Sequence, residues 1–281
     1  ERAYGDAFGD RPRVTDADLA GATPPAWPAA EVDLDQDAAL MFTSGTTASP
    51  KAVRITHRNL RANTASIIEY LGLRADDRML VVLPFFYCYG ASLLHTHLRV
   101  GGSLALCNTF TFPETALQMI ERERCTGLAG VPSTYQLLLR ASSFGTRRLP
   151  SLRHLQQAGG KLPPVLIEEL AAAQPQARVF VMYGQTEATA RLSYLPPDLL
   201  HAKLGSIGRG IPGVTLAVVD EHGDPVPPGV AGEIVAAGEN ISPGYLGDAV
   251  ATHEKFAGGR LRTGDLAVVD EDGVIFIVDR L

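Results

Sequence analysis

A chain of 281 residues, 46% of them hydrophobic, can fold as one large or two modest domains around a sizeable core. Its 31 acidic residues outnumber 25 basic ones, giving a formal net charge of −6, and no basic stripe marks a nucleic-acid face. The longest apolar run, residues 79–89, is broken by Pro84 and falls short of the roughly 20 residues that a membrane span needs.

Residues 1–38 begin with Glu1, are rich in Pro, Gly, Ala and Asp, and show little periodicity. They read as an irregular lead-in, and the sequence as a piece of a longer protein without a secretion signal. Residues 39–43 read as a buried strand, and a loop of small polar residues leads to a second strand at 52–56. Helical spacing follows at 59–71, then a strand at 78–83 that Pro84 ends. A helix at 90–100 stops at Gly101-Gly102, a pair suited to a C-terminal cap. Residues 103–107 are strand-like, and 113–123 helical with Pro113 in the first turn. Strands at 127–131, 154–157 and 178–182 alternate with helices from Pro132 and Pro163. The alternation predicts an α/β fold, a mostly parallel sheet flanked by helices, over 39–204. From about Gly205, short β-branched runs at 214–220, 232–237, 266–269 and 274–278 are separated by turn signals. They predict a smaller, mostly antiparallel β-rich subdomain over 205–281.

Cys88, Cys107 and Cys125 form no CxxC pair. This usage fits a reducing, cytoplasmic compartment and buried free thiols, and it speaks against a disulfide framework, a thiolate zinc site or an enzyme thioester. His95 and His97 fall in a predicted helix, where positions i and i+2 do not share a face, so both read as structural or solvated.

The most informative segment is Thr43-Ser44-Gly45-Thr46-Thr47-Ala48-Ser49-Pro50-Lys51. Backbone amides of such a loop form an anion-binding concavity, and the hydroxyls and the ammonium add the donor density that a triphosphate needs. It is not a Walker A loop, which requires GxxxxGK[ST] opening a helix. The bland alternative is a Ser/Thr-rich surface turn.

This segment resembles the phosphate-loop signature, usually TSGTTGxPK, of the adenylate-forming superfamily: acyl-CoA synthetases, luciferases and the adenylation domains of peptide synthetases. Ala48 stands where Gly is usual, and its methyl group restricts a positive-φ position. Further resemblances follow in the family's order. Tyr183-Gly184-Gln185-Thr186-Glu187 is similar to YGxTE, and the stretch from Gly205 to Gly213 to GSxGxPxPG. Gly232-Glu233-Ile234 with Gly238, and then Ser242-Pro243-Gly244-Tyr245, resemble the next signature. Arg262-Thr263-Gly264-Asp265 resembles YRTGD, and the stretch from Gly273 to Arg280 resembles GxxxFxGR.

The resemblance implies an acyl-CoA synthetase-like large-domain core and a set of roles. Thr43, Ser44, Gly45, Thr46, Thr47 and Lys51 would contact the ATP phosphates, and Thr186 would donate to the α-phosphate. Glu187 would hold Mg²⁺, a hard cation that prefers carboxylate and phosphate oxygen. Tyr183 would offer a flat face to adenine, with Gly160, Lys161, Gly184 and Gln185 beside it. Asp265 would accept from both ribose hydroxyls, assisted by Arg280. Lys51, Thr186 and Glu187 would be the catalytic set. The acid would lie against residues 85–89, Phe86 and Tyr87 among them, and against Val131, Gly159, Lys161 and Gly184. Tyr87 stands where His is common. The same run lacks the Asp that pairs with a substrate amine, which disfavours an α-amino acid. Lys161 is read either as a contact to a polar or acidic substrate or as a solvated side chain.

The implied reaction is attack of a small-molecule carboxylate on the α-phosphate, with pyrophosphate leaving in line. Acyl transfer to a thiol of CoA or of a phosphopantetheine carrier, such as an acyl carrier protein, would follow. The resemblance also implies a missing C-terminal domain beyond Leu281 that bears a catalytic Lys, so the chain is expected to bind ATP but adenylate poorly. Two alternatives stand beside this one: an amino-acid adenylation domain, and a non-catalytic nucleotide-binding module.

Overall fold

The computed structural model describes residues 31–43 and 50–281, so the expectations resting on residues 1–30 and 44–49 lie outside the described residues. Residues Asp33–Leu281 form one compact unit. It opens with β1 (Asp37–Thr43) and β2 (Lys51–Thr56), which pair antiparallel with Thr43 opposite Lys51. Helix α1 (His57–Leu71) starts in a capping box: the Thr56 hydroxyl accepts from the Asn59 amide, and the Asn59 side chain accepts from the Thr56 amide. Gly72, in the left-handed conformation, ends it.

The main sheet has seven strands in the order β4-β3-β5-β6-β7-β8-β9. Strand β3 (Arg78–Val81) leads through α2 (Cys88–Val100) to β4 (Ser103–Leu106), and α3 (Pro113–Glu123) leads to β5 (Gly127–Gly130). Helix α4 (Pro132–Ala141) precedes β6 (His154–Gln157), and α5 (Pro164–Ala173) precedes β7 (Arg178–Tyr183). These five strands are parallel, while β8 (Ser193–Leu195) and β9 (Arg209–Gly210) add an antiparallel edge. Strand residues alternate between the faces of the sheet. Leu80, Leu128, Leu155, Val179 and Val181 therefore pack against α3, α4 and α5. Met79, Val81, Ala129, Phe180 and Met182 pack on the opposite face against α1 and α2. Chain order reverses at β3, with β4 on one side and β5 to β7 on the other. α/β sheets bind ligands beyond the carboxyl ends of their strands.

A second, four-stranded sheet, β10 (Val214–Val219), β11 (Gly232–Gly238), β12 (Leu261–Val269) and β13 (Ile275–Arg280), is antiparallel throughout. Ile207, Val218, Ile234, Ala267 and Ile275 pack together in one of its clusters, while Ala236 and Leu261 pack on Ala188 and Leu192. Helix α6 (Ala249–Lys255) leads into β12, its N-terminus capped by the Asp248 carboxylate.

Three elements carry no signal in the sequence: β8, β9 and α6. Each is too short for a period to show. Strand β12 also begins at Leu261, well before the apolar run at 266–269, because Arg262 to Asp265 join the ladder despite their polarity. The main sheet runs on to Gly210, beyond residue 204. No helix among the described residues is long and apolar enough to cross a membrane.

Candidate active site

A cavity of about 320 Å³ opens at the carboxyl ends of β6 and β7. Gly159, Gly160, Lys161, Tyr183, Gly184, Gln185, Asp265 and Arg280 line it, with Gln157, Ser206, Ile207 and Ile277. Two glycines shape its wall. Gly159 has φ +82°, and a Cβ there would sit 3.0 Å from Val131 Cγ1, so this turn packs directly on the end of β5. At Gly184 a Cβ would lie 2.0 Å from the Ala190 carbonyl oxygen, so only glycine lets the loop fold back against Tyr183.

Asp265 reaches the same cavity from the other sheet. Glu233 pairs with Leu266 but Val235 with Arg262, so β12 bulges at Thr263–Asp265 against Ile234, with Gly264 at φ +78°. A bulge re-aims side chains, here that of Asp265. The Tyr183 hydroxyl donates to Asp265 Oδ2 at 2.5 Å, and Arg280 Nε stands 3.8 Å from Oδ1. Burial, reinforced by the Asp265 carboxylate, pushes the Tyr183 hydroxyl well above the usual tyrosine range, so it stays protonated as a donor.

In the loop after Tyr183, Glu187 is 9% exposed, and its Oε1 accepts from the Tyr245 hydroxyl at 2.8 Å. The Lys51 ammonium lies 5.0 Å above the Tyr245 ring and 3.9 Å from Asp248 Oδ2. Lys51, Tyr245, Lys255, Arg262, Glu233 and Gly264 border a second cavity of about 360 Å³. Consecutive residues of the bulge, Gly264 and Asp265, thus line the two cavities. Lys255 donates to the Thr263 carbonyl at 2.9 Å, and burial pulls its ammonium below the usual lysine range against the pull of Glu187, Asp265 and Glu233. Among the described residues no three His, Cys, Asp or Glu side chains cluster to hold a metal. Glu187 borders neither cavity and offers a single carboxylate, one oxygen of which the Tyr245 hydroxyl holds. A single carboxylate suits Mg²⁺, which takes one or two carboxylates and draws its other ligands from phosphate and water.

A family model described as AMP-binding enzyme matches residues 7–246. The chain belongs to the AMP-binding enzyme family. It is 36% identical over 267 residues to a feruloyl-CoA synthase of Amycolatopsis sp., covering 94% of this chain and 53% of that protein. It is also 36% identical over 258 residues to a 2-succinylbenzoate–CoA ligase of Bacillus pumilus, covering 89% of this chain and 50% of that one. Among solved structures it is similar to the o-succinylbenzoate CoA synthetase (MenE) of Bacillus subtilis in complex with ATP and magnesium ion. The TM-score is 0.81 at 31% identity, covering 88% of this chain and 51% of the other. The chain thus spans about half the length of the curated relatives it matches.

In this member of the family the loop after β7 is held under strain. Thr189, a β-branched residue, has φ +68°. Its hydroxyl donates to the Asn240 carbonyl at 2.7 Å, and the Asn240 amide donates to the Arg191 carbonyl at 2.9 Å. The buried Arg191 guanidinium lies 3.9 Å from the centre of the Tyr89 ring, which ties the loop to α2. These contacts fix Thr186 and Glu187. The Thr186 hydroxyl also lies 3.6 Å from Cys88 Sγ.

Of the residues singled out from sequence, Gly159, Gly160, Lys161, Tyr183, Gly184, Gln185, Asp265 and Arg280 meet in the first cavity, and Lys51 borders the second. Thr43 ends β1 opposite Lys51, whereas Ser44, Gly45, Thr46 and Thr47 lie outside the described residues. Phe86 and Tyr87 stand outside both cavities, 70% and 56% exposed, their ring centroids 4.5 Å apart. Val131 packs behind Gly159. Sequence reasoning assigned no role to several residues of the site, among them Gln157, Ser206, Tyr245 and Lys255. Tyr245 stood inside a matched motif with no role attached, and Lys255 carried no signal.

Proposed function

We propose that the chain is the nucleotide- and acid-binding part of an ATP-dependent enzyme that activates a carboxylic acid as an acyl-adenylate and passes the acyl group to a thiol. The observation that carries this reading is the meeting of Tyr183 with Asp265 over one cavity, with Glu187 buried in the loop that follows Tyr183. Adenine stacks on Tyr183 beside Gly160, Gly184 and Gln185. The ribose diol donates to Asp265, with Arg280 near its second oxygen. Thr186 donates to the α-phosphate, and Lys51 meets the outer phosphates. Glu187 would hold a magnesium ion, which when bound would supply neutralisation of charge on the phosphate oxygens.

The residues present do the remaining work by positioning. An oxygen of the substrate carboxylate attacks the α-phosphorus, a new C–O–P linkage forms, and the α–β P–O bond breaks with its electrons leaving on pyrophosphate. Lys51 and Thr186 meet the charge that develops. The names of the relatives favour coenzyme A as acceptor, whereas a phosphopantetheine carrier finds no support in them. Ferulate and succinylbenzoate are both aryl acids. Together with the absence of an Asp from residues 85–89, they favour an aryl or other hydrophobic acid here over an α-amino acid. A Lys-bearing further domain and a cytoplasmic setting, in line with three free cysteines, belong to the same reading. Pyrophosphate exchange by the full-length protein over a panel of acids, with and without an α-amine, tests it. Exchange driven by aryl acids is expected. Release of ADP, or exchange only with amino acids, would refute it.

A further inference from the structure

Tyr245 touches both charged groups of the site, and neither contact is accidental to its backbone. Lys51 opens β2, and the segment Ser242–Leu246 runs beside that strand as an extra rung. The Arg54 amide donates to the Gly244 carbonyl at 2.9 Å, and the Leu246 amide donates to the Ala52 carbonyl at 2.8 Å. Val53 and Tyr245 form an antiparallel bridge between them. The Tyr245 amide donates to Thr252 Oγ1 at 3.0 Å, and a Cβ on Gly244 would lie 2.4 Å from Thr252 Cγ2, so α6 fixes the turn from behind. The ring, 8% exposed, packs edge-on against Phe256. One side chain held this firmly carries Lys51 over its face and donates its hydroxyl to Glu187.

We propose that Tyr245 is a positioning residue that sets the Glu187 carboxylate for a divalent cation and registers it against Lys51, so that metal and phosphate grips act together. This rests on the nucleotide-site reading given above. A carboxylate oxygen has lone pairs for both a hydroxyl donor and a metal. Fixing one of them orients the other, and removing such outer partners weakens metal binding by about 10- to 100-fold in known sites.

Tyr245→Phe removes the hydroxyl and keeps the ring, its packing and the seat of Lys51. The 281-residue chain is titrated with Mn²⁺ in the presence of ATP, with free Mn²⁺ read by electron paramagnetic resonance, for wild type, Tyr245→Phe, Glu187→Gln and the double variant. Thermal melts check that each is folded, and ATP binding without metal is measured alongside. The expected result is Mn²⁺ affinity about 10-fold weaker in Tyr245→Phe, with metal-free ATP affinity kept within about two-fold. In the Glu187→Gln background the same change should add nothing, because Tyr245 acts through that carboxylate. That background leaves no buried carboxylate without its donor, so the comparison survives if the single variant melts early. Wild-type Mn²⁺ affinity in Tyr245→Phe, or an equal loss with and without Glu187, would overturn the inference alone. A wild type that holds no Mn²⁺ with ATP, or a Glu187→Gln variant that holds it normally, would overturn the site reading and the inference with it.

Discussion

Two carboxylates in one site are given different tasks by their neighbours. Asp265 keeps one oxygen for Tyr183 and leaves the other toward Arg280 and the cavity, whereas Glu187 is buried with Tyr245 as its side-chain donor. Replacing Asp265 by Ala should weaken ATP binding by ten-fold or more while the fold persists, since a hydrogen bond to a charged acceptor contributes roughly 1.5–3 kcal/mol. Calorimetric titration with ATP measures it. Gly184→Ala should act differently. Its new methyl would meet the Ala190 carbonyl, so the loop bearing Thr186 and Glu187 must move, at a cost of about 1–3 kcal/mol in stability together with lost metal binding. Thermal melts paired with the Mn²⁺ titration separate the two effects. At this scale the sequence was most legible where a motif names a residue, as at Tyr183 and Asp265. It was silent on Lys255, whose place depends on a helix of seven residues meeting the β12 bulge.

At the scale of elements, the parallel strands were readable because each is a short apolar run between helices of clear period. Pro84, the Gly101-Gly102 pair and Pro113 marked their ends. Strands β8 and β9 and helix α6 were not readable, because their residues are set by pairing and packing rather than by local pattern. The amino-terminal edge of the main sheet carries a further consequence. Asp77, just before β3, accepts from Thr126, the Arg74 amide and Arg153, and these bonds hold its carboxyl below the usual range although burial alone would raise it. His154, at the start of β6, is pulled down to about 4 by burial and stacks on Phe180. An unfolded histidine titrates near 6.5. Between those values the unfolded chain takes up a proton that folded His154 refuses, so stability is full above pH ~6.5 and falls by up to about 3 kcal/mol as pH drops toward 4. Denaturant melts at pH 7 and 4.5 should show this loss, and His154→Leu should flatten it. An unchanged pH slope in that variant would assign the loss elsewhere.

Across the whole molecule, the alternation foretold the main sheet and the smaller antiparallel one, but not that β1 and β2 pair apart from both, nor how the sheets share a site. That sharing depends on a bulge in β12, a strained Thr189 and the rung that Tyr245 adds to β2, each a tertiary feature with no sequence period. The central claim is that the described chain builds an acyl-adenylate site where its two larger sheets meet the β1-β2 pair. The most direct measurement is calorimetric binding of a non-hydrolysable aryl-acyl sulfamoyl adenosine, compared with AMP and with the free acid, in wild type and Asp265→Ala. The account predicts that the analogue binds at least 100-fold more tightly than either fragment and that Asp265→Ala loses ten-fold or more. An analogue bound no better than AMP, or bound equally by Asp265→Ala, would contradict it.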